Sequence, residues 1–201
     1  MKVRTFLVIA VVLAIVGGMA TVNITLAQQN RGSTSRATQK TLQLTELEQQ
    51  NILHMREEEK LARDVYLVMY DLWGADIFAN ISDSEQRHMD AIKRLITRYG
   101  LTDPVADDDP EADDVIGVFT DPDLQKLYDD LIEAGEVSLE EALKVGVAIE
   151  ELDIADLKQA LTETDKRNIQ RVFQNLLNGS YNHLDAFNAC LDGDCICLPN
   201  I

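Results

Sequence analysis

An apolar helical seam interrupted by two metal-capable side chains runs through the middle of the chain. Its members follow one another at alternating steps of three and four residues: Phe78, Ile81, Glu85, His88, Ile92, Leu95 and Tyr99. Side chains at this spacing share one face of an α-helix, and five of the seven suit the core of a helical bundle. Glu85 and His88 also form the Glu-x-x-His pair with which helix bundles hold iron or manganese. A buried carboxylate is costly when it has no partner, so Glu85 requires a metal, an arginine or a water network opposite it.

The composition favours a single all-α domain. The chain has 201 residues, of which 46% are hydrophobic, and it contains only 10 Gly and 4 Pro. This is enough for one core built from long helices. The formal charge of −17 argues against nucleic acid as a partner, because phosphate binding requires a basic face. The acidity serves solubility or attracts cations.

The first 27 residues have the features of a signal peptide. Lys2 and Arg4 precede an uncharged run from Thr5 to Asn30, and a small-residue cleavage site follows Ala27. The alternative is an uncleaved N-terminal anchor that tethers the protein to a membrane. Polar residues within 21–25 shorten the strongly apolar part below the roughly 18–20 residues that a membrane span requires. We therefore predict an extracytoplasmic protein, secreted or held at the cell surface.

Four long helices are predicted, arranged as two antiparallel hairpins. Residues 28–44 are polar and aperiodic, which is typical of a linker. Sequence patterns of the capping-box type mark the start of the first long helix at Thr45 and of the third at Ser138. The predicted bounds are about 45–73, 76–99, 138–161 and 166–188.

The connection over 101–137 links the two hairpins. Its acidic stretch over 103–114 does not match the spacing of a calcium loop, so we interpret it as a solvated loop. An Asp-Pro pair then starts a short helix over about 121–135. Two hairpins joined by such a crossover predict a ferritin-like four-helix bundle over residues 45–190.

The first helix carries five consecutive charged residues, Arg56 to Lys60, within an apolar pattern. Such a run usually marks a solvated face. Here Glu58 is in phase with Leu61, and Glu59 is in phase with Tyr66, so both glutamates lie on rows of the buried stripe. At least one of them must point inward, and periodicity does not choose between them.

The third and fourth long helices repeat this anomaly. On the third, Glu150 and Asp153 lie three residues apart in an apolar seam, with Glu151 as an alternative inward residue. On the fourth, His183 interrupts an apolar seam, and a core histidine satisfied by hydrogen bonds is an equally good interpretation of this residue alone. Counted from the intervening turn, His183 lies about 10 Å farther along the bundle than Glu150, which argues against a shared site. Taken together, the inward polar residues of all four helices nevertheless match the ligand set of a carboxylate-bridged di-iron or di-manganese centre. They are Glu59, Glu85, His88, Glu150, Asp153 and His183.

Two motifs resemble the ligand helices of rubrerythrin-type proteins. They are Glu59-Lys-Leu-Ala-Arg-Asp-Val-Tyr66 and Ser84-Glu-Gln-Arg-His88. Together with Ile149-Glu-Glu-Leu-Asp-Ile154 and Gly179-Ser-Tyr-Asn-His-Leu-Asp-Ala-Phe187, they make residues 45–190 similar to a ferritin-like family known as domain of unknown function 2202. This resemblance implies that Glu59, rather than Glu58, is the ligand on the first helix.

The chain departs from the ferritin-like pattern on its fourth helix. It has Ser180-x-x-His183 where that pattern has Glu-x-x-His. Asp153 on the third helix is the candidate for the missing carboxylate.

The ligand set and the resemblance predict an exported protein with two iron or manganese ions that oxidises ferrous iron or reduces peroxide. O₂ or peroxide would be the partner substrate, and the electron donor must be external, because the chain has no rubredoxin-like Cys-x-x-Cys pair. Tyr66 is a candidate redox or hydrogen-bonding residue, or a structural one. The alternative is a non-catalytic bundle for metal binding or protein contacts, with its carboxylates paired to Arg63, Arg87 or Arg94 or to water. Either protein is compatible with a homo-oligomer.

All three cysteines lie near the C-terminus, with Cys195 and Cys197 in a tail over 191–201. Export favours a disulfide between Cys190 and one of these two, with one thiol left over. A thiolate metal site would lack a fourth ligand.

Overall fold

The computed structural model describes residues 43–105 and 115–194, which belong to one compact unit that begins at Gln43. These residues form five helices and no strand, so the described part of the chain is all-α, as predicted. None of these helices combines the length and the apolarity needed to cross a membrane. The helices are α1 (Glu46–Trp73), α2 (Asp76–Tyr99), α3 (Pro122–Gly135), α4 (Leu139–Thr162) and α5 (Arg167–Leu191).

Several predictions concern residues that lie outside these ranges. They include the signal peptide over 1–27, almost all of the linker over 28–44, and most of the acidic stretch of the crossover. Cys190 is disulfide-bonded, whereas Cys195 and Cys197 lie beyond the described residues.

The helix starts follow from the side chains that cap them. Thr45 and Glu48 form the predicted capping box, in which each side chain accepts a hydrogen bond from the other residue's backbone N–H, at 3.1 and 2.9 Å. Ser138 caps α4 by accepting from the backbone N–H of Glu141 at 3.2 Å. The predicted second box is only half formed, because the carboxylate of Glu141 accepts from Lys144 at 2.9 Å instead.

Contacts between helix ends establish the topology of the bundle. α1 packs against α2 and α4, and α5 packs against α4 and α2. Glu48 at the start of α1 lies 2.8 Å from Lys166 in the turn after α4, and Trp73 at the end of α1 donates to the carbonyl of Gly135 just before α4, at 3.0 Å. α1 and α4 are therefore antiparallel, and so are their hairpin partners α2 and α5. Every neighbouring pair among the four long helices is antiparallel, and the crossover runs the length of the bundle.

The crossover covers the outer side of α1, so that every residue from Met55 to Tyr66 is buried. The Glu57 carboxylate accepts from the backbone N–H of Thr120 at 2.6 Å, and the Lys60 ammonium donates to the carbonyl of Val115 at 2.8 Å. Asp103, which we expected to be solvated, lies 3.0 Å from the guanidinium of Arg56 and is largely buried. The charged run of α1 therefore binds the crossover on one side and enters the bundle on the other.

Two apolar clusters form the core, and a polar layer separates them. One cluster includes Leu61, Phe78 and Phe187, and the other includes Ile52 and Phe173. On each of the four long helices, the buried polar residues that point inward lie between the members of the two clusters. These residues therefore occupy one level of the bundle.

Candidate metal centre

The structure brings all six predicted ligand residues into this polar layer. The side chain of His88 is 13% exposed and the other five residues are buried. Each long helix contributes at least one of them. The contributions are Glu59 from α1, Glu85 and His88 from α2, Glu150 and Asp153 from α4, and His183 from α5.

Five of the six form two groups that share one carboxylate. The ligand-capable atoms of Glu59, Glu85 and His88 lie within 4.8 Å of one another, and so do those of Glu85, Glu150 and His183. One oxygen of Glu85 is 2.7 Å from Nδ1 of His88, and its other oxygen is 2.7 Å from Nδ1 of His183. Glu85 therefore lies between the two histidines, with one oxygen directed to each group.

Many acceptors in this layer have no donor. Nδ1 of His88 lies 3.0 Å from Oε2 of Glu59 in hydrogen-bond geometry, whereas the contacts of Glu85 with the two histidines lack the alignment of hydrogen bonds. Both oxygens of Glu85, Oε1 of Glu59 and both oxygens of Asp153 are buried without a hydrogen bond. Native proteins satisfy nearly all such groups, so these oxygens require a proton, a water molecule or a cation opposite them.

Tyr66 fixes the position of Glu150. Its hydroxyl donates to Oε1 of Glu150 at 2.7 Å, and Oε2 of the same carboxylate lies 3.5 Å from Nδ1 of His183. The Tyr66 ring is fully buried, with its centroid 5.2 Å from that of Phe187. Tyr66 is thus a hydrogen-bond partner of a candidate ligand and part of the apolar cluster below it.

Burial and neighbouring charges shift the pKa values of the carboxyl groups, upward for some and downward for Glu85. Burial raises the pKa of Glu59 to about 8 and that of Glu150 to about 7, although nearby histidines oppose both shifts. Burial also opposes the ionisation of Glu85, but His183 and His88 outweigh it and lower its pKa to about 2. Burial raises the pKa of Asp153 well above its ordinary value, reinforced by the charge of Glu58. Without a cation, the layer keeps protons on carboxyl groups that are normally ionised at neutral pH.

The pKa values of the two histidines rise because negatively charged carboxylates lie beside their rings. Burial opposes their charged forms, but the carboxylates outweigh it and raise the pKa of His88 to about 11 and that of His183 to about 9. In both rings Nδ1 faces the carboxylates.

Glu58 and Glu59 are both buried, which agrees with the expectation that at least one of them points inward. Two other sequence-based expectations are wrong. Glu151, the alternative ligand, is exposed on the outer side of α4. The expected 10 Å offset of His183 does not exist.

The offset disappears for two geometric reasons. Residues 163–166 form a non-helical turn, so counting them as helix overestimated the height of His183. In addition, Cα–Cβ bonds tilt toward the helix N-terminus. In an antiparallel pair this tilt moves the side chain of Glu150 away from the turn and that of His183 toward it, so the two side chains meet.

The arginines named as alternative partners lie elsewhere. Arg87 and Arg94 are exposed. Arg63 contacts Asp64 and Gln86, each at 2.6 Å. Pairing with arginine therefore does not account for the unsatisfied carboxylates of the polar layer.

Residues 48–196 match the family described as "Uncharacterized protein domain (DUF2202)". The chain belongs to the DUF2202 family. It is 49% identical to the uncharacterized protein MJ0754 of Methanocaldococcus jannaschii over 144 residues. The aligned region covers 72% of this chain and 75% of that protein. A crystal structure of hypothetical protein MJ0754 from Methanococcus jannaschii DSM 2661 superposes with a TM-score of 0.71 at 42% identity, covering 89% of this chain and 92% of that one. The predicted resemblance to domain of unknown function 2202 is confirmed.

One residue of this DUF2202 site was not predicted from the sequence. A Cβ atom on Gly179 of α5 would lie 2.5 Å from the His88 ring, so the absence of a side chain there lets the ring approach α5. The signal was a small residue four positions before His183, at the spacing of the inward seam.

Proposed function

We propose that this DUF2202 protein is a ferritin-like metalloprotein whose bundle holds a dinuclear iron or manganese centre. The observation that carries the proposal is Glu85, whose two oxygens face two separate carboxylate–histidine groups. A carboxylate in this position suits a bridge between two ions, with Glu59 and His88 on one side and Glu150 and His183 on the other.

The chemistry of the donor set fits two divalent cations. Glu59, Glu85, Glu150 and Asp153 carry four negative charges when ionised, which two such cations neutralise while both histidines are neutral. Oxygen and imidazole ligands suit iron and manganese. The buried oxygens that lack hydrogen bonds are the atoms that these cations would satisfy.

The topology supports the ferritin-like assignment. The neighbouring long helices are all antiparallel and one long crossover joins the two hairpins, which is the connectivity of ferritin-like bundles. The hydroxyl of Ser180 donates to its own helix at the Leu176 carbonyl, at 3.2 Å, and is not directed to the centre. We propose Asp153 as the fourth carboxylate in its place.

The residues around the centre would hold its ligands and limit access of water. A reduced dinuclear centre would supply electrons to O₂ or peroxide, and an external donor would restore it. Tyr66 orients Glu150 through the 2.7 Å hydrogen bond, and Gly179 provides space for His88. Apolar clusters above and below the polar layer keep bulk solvent out. We therefore propose ferrous oxidation or peroxide reduction as the reaction class.

Metal content tests the first part of this proposal. Protein loaded anaerobically with Fe²⁺ or Mn²⁺ and then desalted should retain two ions in the central site. A Glu85→Ala/His88→Ala double variant should lose them, and Glu151→Gln, an exposed acid on α4, should not. Retention of both ions by the double variant would refute the assignment.

Reactivity tests the second part. After O₂ or peroxide is added, iron should be oxidised faster in the Fe²⁺-loaded protein than in a mixture of Fe²⁺ and the double variant, as followed by stopped-flow absorbance. If the protein binds two ions but does not accelerate oxidation, the non-catalytic metal-binding function is the correct one.

We also propose that the domain is exported, on the basis of residues 1–27. Intact mass spectrometry of the protein from the host that produces it should give a chain that begins near residue 28. A full-length mass would favour the membrane-tethered alternative.

A further inference from the structure

A third group of ligand-capable side chains lies at the surface edge of the polar layer. His54 and Glu58 stand one turn apart on α1, and Asp156 faces them from α4. Nε2 of His54 is 3.6 Å from an oxygen of Glu58 and 3.7 Å from an oxygen of Asp156. The ligand-capable atoms of all three lie within 4.8 Å of one another.

Glu58 is the unusual member of this group. The residue is 1% exposed, and both of its carboxylate oxygens lack a hydrogen-bond partner. Two other buried carboxylates on α1, outside the polar layer, are satisfied. Glu57 accepts from two backbone amides, and Glu48 accepts from Thr164 and Lys166. The unmet acceptors of Glu58 therefore point to a ligand rather than to the general packing of the helix.

The separations in this group suit a metal ion better than direct hydrogen bonds. Distances of 3.6 and 3.7 Å exceed the length of an N–H···O hydrogen bond. Two ligands bound at about 2.1 Å to a tetrahedral cation lie about 3.4 Å apart. One imidazole and two carboxylates suit Mn²⁺, Fe²⁺, Co²⁺ or Zn²⁺, and a three-residue site leaves a position open to water.

The group is accessible from solvent and continues toward the centre. The side chains of His54 and Asp156 are 42% and 36% exposed. Asp153 lies three residues before Asp156, on the same side of α4, and both of its oxygens are buried without a hydrogen bond. Beyond it, Glu59 and Glu150 belong to the two central groups. Unsatisfied carboxylates thus extend from the surface to the interior.

We propose that His54, Glu58 and Asp156 form a third divalent-cation site, from which cations pass Asp153 to reach the central pair. The delivery role rests on the function proposed above, whereas the existence of the surface site does not. The open coordination position and the solvent-exposed ligands allow a cation to arrive hydrated and to exchange.

Cobalt binding tests the surface site. In the Glu85→Ala/His88→Ala background, one Co²⁺ should bind with visible d–d absorption, and adding His54→Ala should weaken its binding at least tenfold. Glu151→Gln, which removes the same charge as an Asp156→Asn change but lies outside the group, should leave binding unchanged. If the double variant does not fold, His54→Ala in the otherwise intact chain should lower the number of bound Co²⁺ ions from three to two. Unchanged Co²⁺ binding in His54→Ala would overturn the site and would indicate that a protonated His54 pairs with the two carboxylates.

Loading kinetics test delivery. In the otherwise intact chain, His54→Ala and Asp156→Asn should slow Mn²⁺ incorporation into the centre several-fold and leave the final central content at two ions. An unchanged loading rate would overturn delivery and keep the surface site. A chain that binds a single Co²⁺, lost on His54→Ala, would overturn the central site and delivery together, so failure of the proposed function is distinguishable from failure of the third site.

Discussion

Raising the pH of the metal-free protein from about 5.5 to about 6.5 should lower its free energy of unfolding. Burial holds the pKa of Glu59 at about 8 and that of Glu150 at about 7, against an ordinary value of 4.5 for both. In this window the folded chain therefore carries protons that the unfolded chain has released. Because the folded state binds more protons, stability falls as the pH rises, on the order of 3 kcal/mol per pH unit for the two protons of Glu59 and Glu150. Asp153 and Glu58, whose pKa values burial raises well above the ordinary ones, act in the same direction.

The other groups with shifted pKa values do not reverse this fall in stability with pH. Glu85, with a pKa lowered to about 2, is ionised in both states throughout the window. His88 and His183, with pKa values raised to about 11 and 9 from 6.5, are largely protonated in both states at the acid end. Above about 6.5 they reduce stability in the same direction as the carboxyl groups.

Urea denaturation at a series of pH values measures the effect. With EDTA the free energy of unfolding should decrease with pH, and Glu150→Gln should reduce the slope by about 1.4 kcal/mol per pH unit, because one of the groups with a raised pKa no longer titrates. With saturating Mn²⁺ the carboxylates are ionised in the folded state, so the decrease should disappear or reverse. A metal-free protein whose stability is flat or rises across this window would refute the reasoning.

Three substitutions give further predictions. Gly179→Ala should displace the His88 ring and weaken Mn²⁺ binding about tenfold or more at unchanged helix content, as measured by calorimetry and circular dichroism; unchanged affinity would contradict the packing argument. Tyr66→Phe should leave an oxygen of Glu150 without its donor and cost about 1–3 kcal/mol of unfolding free energy in urea, and full stability would show that this bond is dispensable. The Asp64 carboxylate pairs with Lys60 and Arg63 and accepts from the backbone N–H of Gly117 in the crossover. Asp64→Ala should therefore cost about 3–5 kcal/mol in the same assay; a loss below about 1 kcal/mol would mean that these contacts do not hold the crossover.

The sequence was sufficient to predict the four long helices and the inward direction of Glu85. Both depend on local properties, since the three- and four-residue steps of the seam and the caps at Thr45 and Gly100 act within single helices. The position of Glu85 on its helix is independent of what packs against it.

The sequence was not sufficient where the result depends on contacts between distant segments. Glu57 and Lys60 are buried because the crossover covers the side of α1 that faces away from the bundle, and no pattern within α1 reports the crossover. The level of His183 depends on the length of the turn and the tilt of two facing side chains, which residue counting along one axis omits.

The enclosure of α1 also determines how this helix is rotated about its own axis. Neighbouring residues on a helix are separated by about 100°. Glu57 accepts hydrogen bonds from the backbone amides of Thr120 and Asp121. With Glu57 held there, the next residue, Glu58, faces the surface group, and Glu59 faces the central group. A slip of the crossover by a single amide would turn both glutamates together. A segment more than fifty residues away in sequence thus helps to orient the ligand-capable side chains of both the surface group and the central group.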